Sequence, residues 1–142
     1  MGKVRNIIQT KGNIIYSVPS TVTVYQALEV MFEKNIGALL VIDEGKFMGI
    51  FTERHYARKL ALRGKSSKET PIGEIMTEQP VTVTLNTSIE ECMKIMTNKK
   101  IRHLPVVENE TLVGIISVGD VVKYIIEEQK LIIENLEQYI TH

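Results

Sequence analysis

Two short clusters in the second half of the chain have residue types and spacing that could do chemistry. The first is Arg102-His103, set directly ahead of the apolar run Leu104-Pro105-Val106-Val107. A planar guanidinium with an imidazole suits a phosphate. The second is Ser117-Val118-Gly119-Asp120, which closes the run Gly114-Ile115-Ile116. A buried strand is predicted to end at Ser117, with a helix starting within three residues. Ser117 then offers a hydroxyl beside the free backbone N–H groups of a helix N-terminus, a ready anion site. Asp120 falls in the first turn, where the helix dipole keeps it ionised. A carboxylate there can accept two hydrogen bonds from a vicinal diol, as on a ribose. The same residues also suit plainer roles, Ser117 and Asp120 as a helix cap and His103 as a structural histidine.

The elements that must position these groups are written twice. At an offset of 65 residues Val18 meets Val83, Met31 meets Met96, Ile36 meets Ile101, Leu39 meets Leu104, Val41 meets Val106, and Gly49-Ile50 meets Gly114-Ile115. Such self-similarity marks a duplicated unit. Two units that each leave an apolar face open can close over each other, with clefts between the halves.

Each repeat reads as strand, helix, strand, strand, helix. In the first, a strand is predicted over 14–18 and a helix over 24–35, capped by Thr21-Val22-Thr23 and carried by Ala27, Leu28, Met31 and Phe32. A strand over 38–42, a hairpin turn at Asp43-Glu44-Gly45-Lys46, a strand over 47–52 and a helix over 53–62 follow. The polar stretch 63–68 reads as a linker. The second repeat has a strand over 82–85, a helix over 89–99 capped by Ser88, and strands over 103–107 and 112–118 around Glu108-Asn109-Glu110. A last helix runs from Gly119-Asp120 to about Tyr139. Beyond Glu128 it carries Leu131, Ile132, Leu136 and Tyr139 between acidic residues. An apolar stripe with no intramolecular partner reads as a dimer helix; folding back across its own module is the alternative.

The chain has 142 residues, 44% of them apolar and 24% charged, which reads as a soluble globular protein. Its 17 basic residues balance its 17 acidic ones, so no global field is expected to hold nucleic acid or an anionic membrane. No run approaches the roughly 18 apolar residues of a membrane helix. The start reads as neither a secretory signal nor a transit peptide, and Met1-Gly2 is not a myristoylation site because Asn6 stands where Ser or Thr is wanted. Cys92, the single cysteine, excludes an internal disulfide and a multi-cysteine zinc site; a reducing cytoplasm is the expected compartment. By the repeat it matches Ala27 and reads as a buried small hydrophobe. Met31, Met76, Met93 and Met96 read as core, Glu90-Glu91 as serving a helix dipole, and His55 as a solvated loop residue.

The duplicated pattern, the Leu-Pro-Val-Val strand and the closing Gly-Ile-Ile-Ser-x-x-Asp resemble a tandem pair of CBS domains, a Bateman module, over about residues 8–128. The Thr-Glu-Arg-x-Tyr-Ala-Arg-Lys segment, the Ser-Ser-Lys-Glu-Thr linker and the Glu-Asn-Leu-Glu-Gln-Tyr-Ile tail are similar to stand-alone two-CBS proteins. The resemblance implies an α/β (α+β) fold: two pseudo-symmetric βαββα repeats packed through their sheets, with CBS domains over 8–68 and 69–128 and a helical extension over 129–142. It implies adenine-nucleotide binding in clefts between repeats, with AMP, ADP, ATP, NAD and S-adenosylmethionine as ligands across the family, and a disc-shaped homodimer.

The resemblance carries roles residue by residue. In the second repeat Asp120 would hold the ribose hydroxyls and Ser117 would assist. Ile101, Arg102 and His103, followed by Pro105, would line the cleft, with Arg102 and His103 toward phosphate. In the first repeat the counterparts are Thr52, Arg54 and His55, with Ile36, Gly37 and Ala38 along the cleft. There His55 replaces the expected Asp, and Gly37-Ala38 replaces Arg102-His103. A neutral imidazole offers one acceptor where a carboxylate offers several. The first site is therefore expected to be weaker, altered in ligand or empty, with Arg54 still near a phosphate or the other repeat.

No nucleophile beside a base, no metal cluster and no phosphate loop is legible, so no catalysis is expected. The expected function is a regulatory module that senses AMP, ADP, ATP or NAD without requiring a cofactor. It would signal through its dimer to an unknown target protein. The alternative is an interaction or scaffold module with vestigial clefts.

Overall fold

The computed structural model describes residues 2–141, so Met1 of the Met1-Gly2 start and His142 at the end of the predicted extension lie outside it. The elements are α1 (Val4–Lys11), β1 (Ser17–Val18), α2 (Val24–Lys34), β2 (Ala38–Asp43), β3 (Lys46–Thr52), α3 (Glu53–His55), β4 (Thr77–Glu78), α4 (Ile89–Lys99), β5 (His103–Glu108), β6 (Thr111–Ser117) and α5 (Val118–Thr141). The fold is mixed α/β with two sheets. The chain divides into two compact units, one spanning Ile15–Pro80, the other joining the segment through Ile14 to the segment from Val81 onward.

In the unit of Ile15–Pro80 the sheet order is β1-β2-β3-β4, with β1 parallel to β2 and the other pairs antiparallel. Thr23 starts α2 with a reciprocal cap: its Oγ1 accepts the Gln26 N–H at 3.1 Å, and Gln26 Oε1 accepts the Thr23 N–H at 3.0 Å. Asn35 ends the helix in the left-handed region at φ 55°. Val24, Ala27 and Met31 of α2 enter a core with Leu39, Val41, Phe51 and Leu60. Phe32, expected on that face, is 90% exposed. One residue is about 100° of helix, so Leu28 and Phe32 form a second apolar stripe turned from the first. The helix predicted over 53–62 is present, but α3 passes into a π turn at Tyr56–Leu60 and a 3-10 turn at Ala61–Arg63.

The strand predicted over 14–18 shrinks at its start to two residues, Ser17 and Val18, and Ile14 stays exposed. The counterpart predicted over 82–85 is only a parallel bridge, Val83 to Val106. There the Thr87 hydroxyl accepts the Thr84 N–H at 3.0 Å and turns the chain instead.

In the other unit β5 and β6 form an antiparallel hairpin. Both hairpins turn through two residues at positive φ, Glu44 (50°) with Gly45 (79°) and Asn109 (48°) with Glu110 (67°), which matches the twist of tight hairpins. Both carry a bulge at the same repeat position, Val41/Ile42 and Val106/Val107. The core gathers Ile89, Cys92 and Met96 of α4 with Leu104, Val106, Ile116 and Val121. Met93, expected in the core, is 40% exposed, one helical step round from Cys92.

Sequence periodicity predicts neither α1 nor β4. Val4 and Ile7 of α1 are buried, and its first turn is anchored by Val4 N–H to the Thr87 carbonyl (2.9 Å) and Arg5 N–H to the Leu85 carbonyl (3.0 Å). β4 pairs with β3 at Gly49 and Ile50. A Cβ on Gly49 would lie 2.4 Å from the Thr77 carbonyl oxygen, so this close approach requires glycine. Along α5, Val121 is buried, but Leu131, Ile132, Leu136 (56% exposed) and Tyr139 (83%) are not, and Val118, Val122 and Ile126 extend the exposed apolar surface toward the N-terminus. Among the described residues, no helix is long and apolar enough to cross a membrane.

Candidate functional site

The N-terminus of α5 is built from its first turn. Ser117 ends β6, and α5 begins at the next residue. The Ser117 N–H donates to Asp120 Oδ2 at 2.8 Å, and the Asp120 N–H donates to Ser117 Oγ at 3.1 Å. This reciprocal cap holds the carboxylate at the helix start. Lys11, the last residue of α1, donates from Nζ to Asp120 Oδ2 and to the Ile115 carbonyl, both at 2.7 Å. The Lys11 ammonium and the Ser117 N–H both donate to Oδ2. Burial pushes the Asp120 carboxyl up, but the Lys11 and Ser117 hydrogen bonds outweigh it and hold the pKa below the usual carboxylate range.

His103 pairs with Ser117 across the hairpin. Burial foremost, then the charge of Lys11, lowers its pKa against the opposing pull of Asp120, so the ring is neutral at neutral pH. Arg102 is exposed, and its carbonyl accepts the Val118 N–H at 2.9 Å. Thus Arg102, His103, Ser117 and Asp120 gather around one turn, joined by Lys11. Ile101 is half-buried against the core, and Pro105 is buried, its carbonyl accepting the Val83 N–H at 3.0 Å. Periodicity gave no sign of Lys11, which lies ahead of the first predicted strand.

The first repeat copies the geometry with different chemistry. Thr52 ends β3, and His55 Nδ1 accepts the Thr52 N–H at 2.9 Å, as Asp120 does from Ser117. His55 Nε2 lies 2.6 Å from Thr77 Oγ1. With Nδ1 accepting, the neutral ring carries its proton on Nε2 and donates to Thr77. His55 is therefore a half-buried, doubly bonded residue, contrary to the solvated loop residue expected. Burial, then the charges of Lys59 and Arg54, lower its pKa to about 4. Ala38 pairs with Thr52, the Gly37 carbonyl accepts the Glu53 N–H at 3.3 Å, and Arg54 is exposed. Ile36 and Gly37 also line an open cleft of 570 Å³ with Leu28, Phe32, Tyr56 and Glu53, whose carboxylate is its charged group. Among the described residues, no group of three or more His, Cys, Asp and Glu is placed to hold a metal ion.

The CBS-domain family model matches residues 4–62 and again 72–127. The chain belongs to the CBS-domain family, as a tandem pair. The mitochondrial CBS domain-containing protein CBSX3 of Arabidopsis thaliana is 42% identical over 123 residues, 83% of this chain and 60% of that protein. A protein with CBS domains from Burkholderia ambifaria, of solved structure, is 45% identical at TM-score 0.86, covering 89% of this chain and 96% of that one. The CBS domain pair of protein MJ0100, solved with 5′-methylthioadenosine and S-adenosyl-L-methionine, is 25% identical at TM-score 0.77, covering 90% of this chain and 98% of that one. Within this CBS pair the two repeats present the same cap at Thr52 and Ser117, closed by an imidazole in one and a carboxylate in the other.

Proposed function

We propose that this CBS pair is a regulatory, non-catalytic module that binds an adenine nucleotide through its second repeat. The observation that carries this reading is the Asp120 carboxylate, ionised and fixed at the start of α5, a group that can accept the hydroxyls of a ribose. Arg102 and Lys11 supply positive charge for a phosphate. The likeness to a CBS pair solved with two adenosyl compounds supports an adenosine-containing ligand. AMP is the favoured member, with ADP, ATP and NAD in the same class. The first repeat binds weakly or not at all, since both His55 ring nitrogens are already engaged.

The output is a change in a homodimer formed through the exposed apolar face of α5, read by a separate protein. A ligand shifts such an equilibrium only by its differential affinity for the two states. We assign the repeats to 8–68 and 69–128 with the extension over 129–142, and place the protein in the cytoplasm, where the lone Cys92 stays reduced. The engaged His55 ring and the long apolar stripe favour one other reading, an interaction scaffold.

A thermal-shift panel of AMP, ADP, ATP, NAD and S-adenosylmethionine on nucleotide-free protein and on Asp120→Ala separates the two. Ligand at about 100 times its Kd adds about 2.7 kcal/mol of stability. A rise in the parent that disappears in the variant supports the sensor; no rise with any ligand leaves the scaffold.

A further inference from the structure

Lys11 is the cation closest to the Asp120 carboxylate and comes from outside the repeat that carries the site. Its ammonium has three N–H donors. Two are spent on Asp120 Oδ2 and the Ile115 carbonyl, while the side chain keeps 33% of its surface exposed. One of the three donors therefore remains.

A purely structural anchor is a poor account of this placement. α1 already holds its unit through the buried Val4 and Ile7 and two backbone hydrogen bonds, and a partly exposed ion pair adds little stability. The first repeat provides an internal control. The 65-residue offset sets Met76 at the place of Lys11, and the contact to the capping side chain is made by the next residue, Thr77. There a neutral hydroxyl meets a neutral ring; in the second repeat an ammonium meets a carboxylate. Lys11 and Arg102 against Asp120, with His103 neutral, leave the second site one positive charge in excess.

We propose that Lys11 is a specificity-determining residue of the second-repeat site, whose remaining N–H reserves that site for an adenine nucleotide bearing a phosphate, against neutral nucleosides and cationic adenosyl sulfonium compounds. This rests on the nucleotide reading above and narrows its ligand class. The two roles of Lys11 are compatible, because its bonds to Asp120 and Ile115 use two of its three donors.

The test is calorimetric titration of AMP, adenosine and S-adenosylmethionine into the full chain, into Lys11→Met and into Lys11→Arg, with folding checked by circular dichroism. The native chain should prefer AMP to adenosine by roughly tenfold or more, as a charge-assisted hydrogen bond allows. Lys11→Met should remove that preference while adenosine affinity stays within about threefold, and Lys11→Arg should retain it. An unchanged AMP-to-adenosine ratio in Lys11→Met overturns the inference and leaves the nucleotide reading standing. Failure of the native chain to bind any of the three overturns both. If Lys11→Met does not fold, Lys11→Gln takes its place: a lost AMP-to-adenosine preference supports the proposal, and an unchanged one overturns it.

Discussion

His55 Nε2 stands 2.6 Å from Thr77 Oγ1 and donates its proton to it. The ring thereby joins α3 to β4, and its other nitrogen is closed by the Thr52 N–H. Protonating Nδ1 would break that second bond, and burial with two nearby cations already lowers the pKa from 6.5 to about 4. Between these values the unfolded chain binds more protons than the folded one, so stability rises with pH across the window and falls as pH drops through it. His103, also lowered, contributes with the same sign. Urea unfolding at several pH values should show this slope, reduced in His55→Gln. A flat profile in the native chain would overturn the assignment of His55 as neutral.

Gly49 and Gly114 are equivalent by repeat but not in their surroundings. A Cβ on Gly49 meets the Thr77 carbonyl oxygen at 2.4 Å, whereas one on Gly114 meets the end of the Ile8 side chain at 2.9 Å. Backbone cannot yield as a side-chain tip can. Gly49→Ala should therefore cost about 1–3 kcal/mol, and Gly114→Ala less, with both read from denaturation midpoints. Equal losses would show that β4 is free to move.

Cys92 is fully buried on α4, and burial followed by the charge of Glu91 pushes its thiol up to about 11. The thiolate is the reactive form. Ellman's reagent near neutral pH should label the native protein only at the rate of opening and the urea-unfolded protein at once. Rapid labelling of the folded chain would place Cys92 at an accessible surface.

The exposed stripe of α5 carries the dimer proposal. Ile132→Asp with Leu136→Asp puts two carboxylates on a face where both residues are over half exposed. Light scattering should then report the mass of one chain in place of two. A native protein that already runs as one chain at micromolar concentration would assign the stripe to a different partner.

Much of the frame was readable from residues alone. The helix over Ile89–Lys99 begins and ends where its caps predict, and both hairpins turn at the residues expected, because capping and turn chemistry act within four residues. The edges of the sheets were not readable. A two-residue strand such as β4 has too few positions to show alternation, and only its partner β3 makes it a strand. Phe32 and Met93 misled for a related reason: helical spacing marks apolar residues without saying which of two adjacent stripes faces the core.

The site divides along the same line. By itself the sequence determined the duplicated unit, the Ser117-Asp120 cap and the substitution of His55 for a carboxylate, since each is a matter of residue type at a position within one turn. Tertiary structure decided what closes each cap. Lys11 lies 109 residues from Asp120, and Thr77 lies 22 from His55. Local propensity carries no information over such separations. Both contacts exist because α1 and β4 each lie against a strand that the chain places far from them in sequence, bringing an ammonium to the carboxylate and a hydroxyl to the ring.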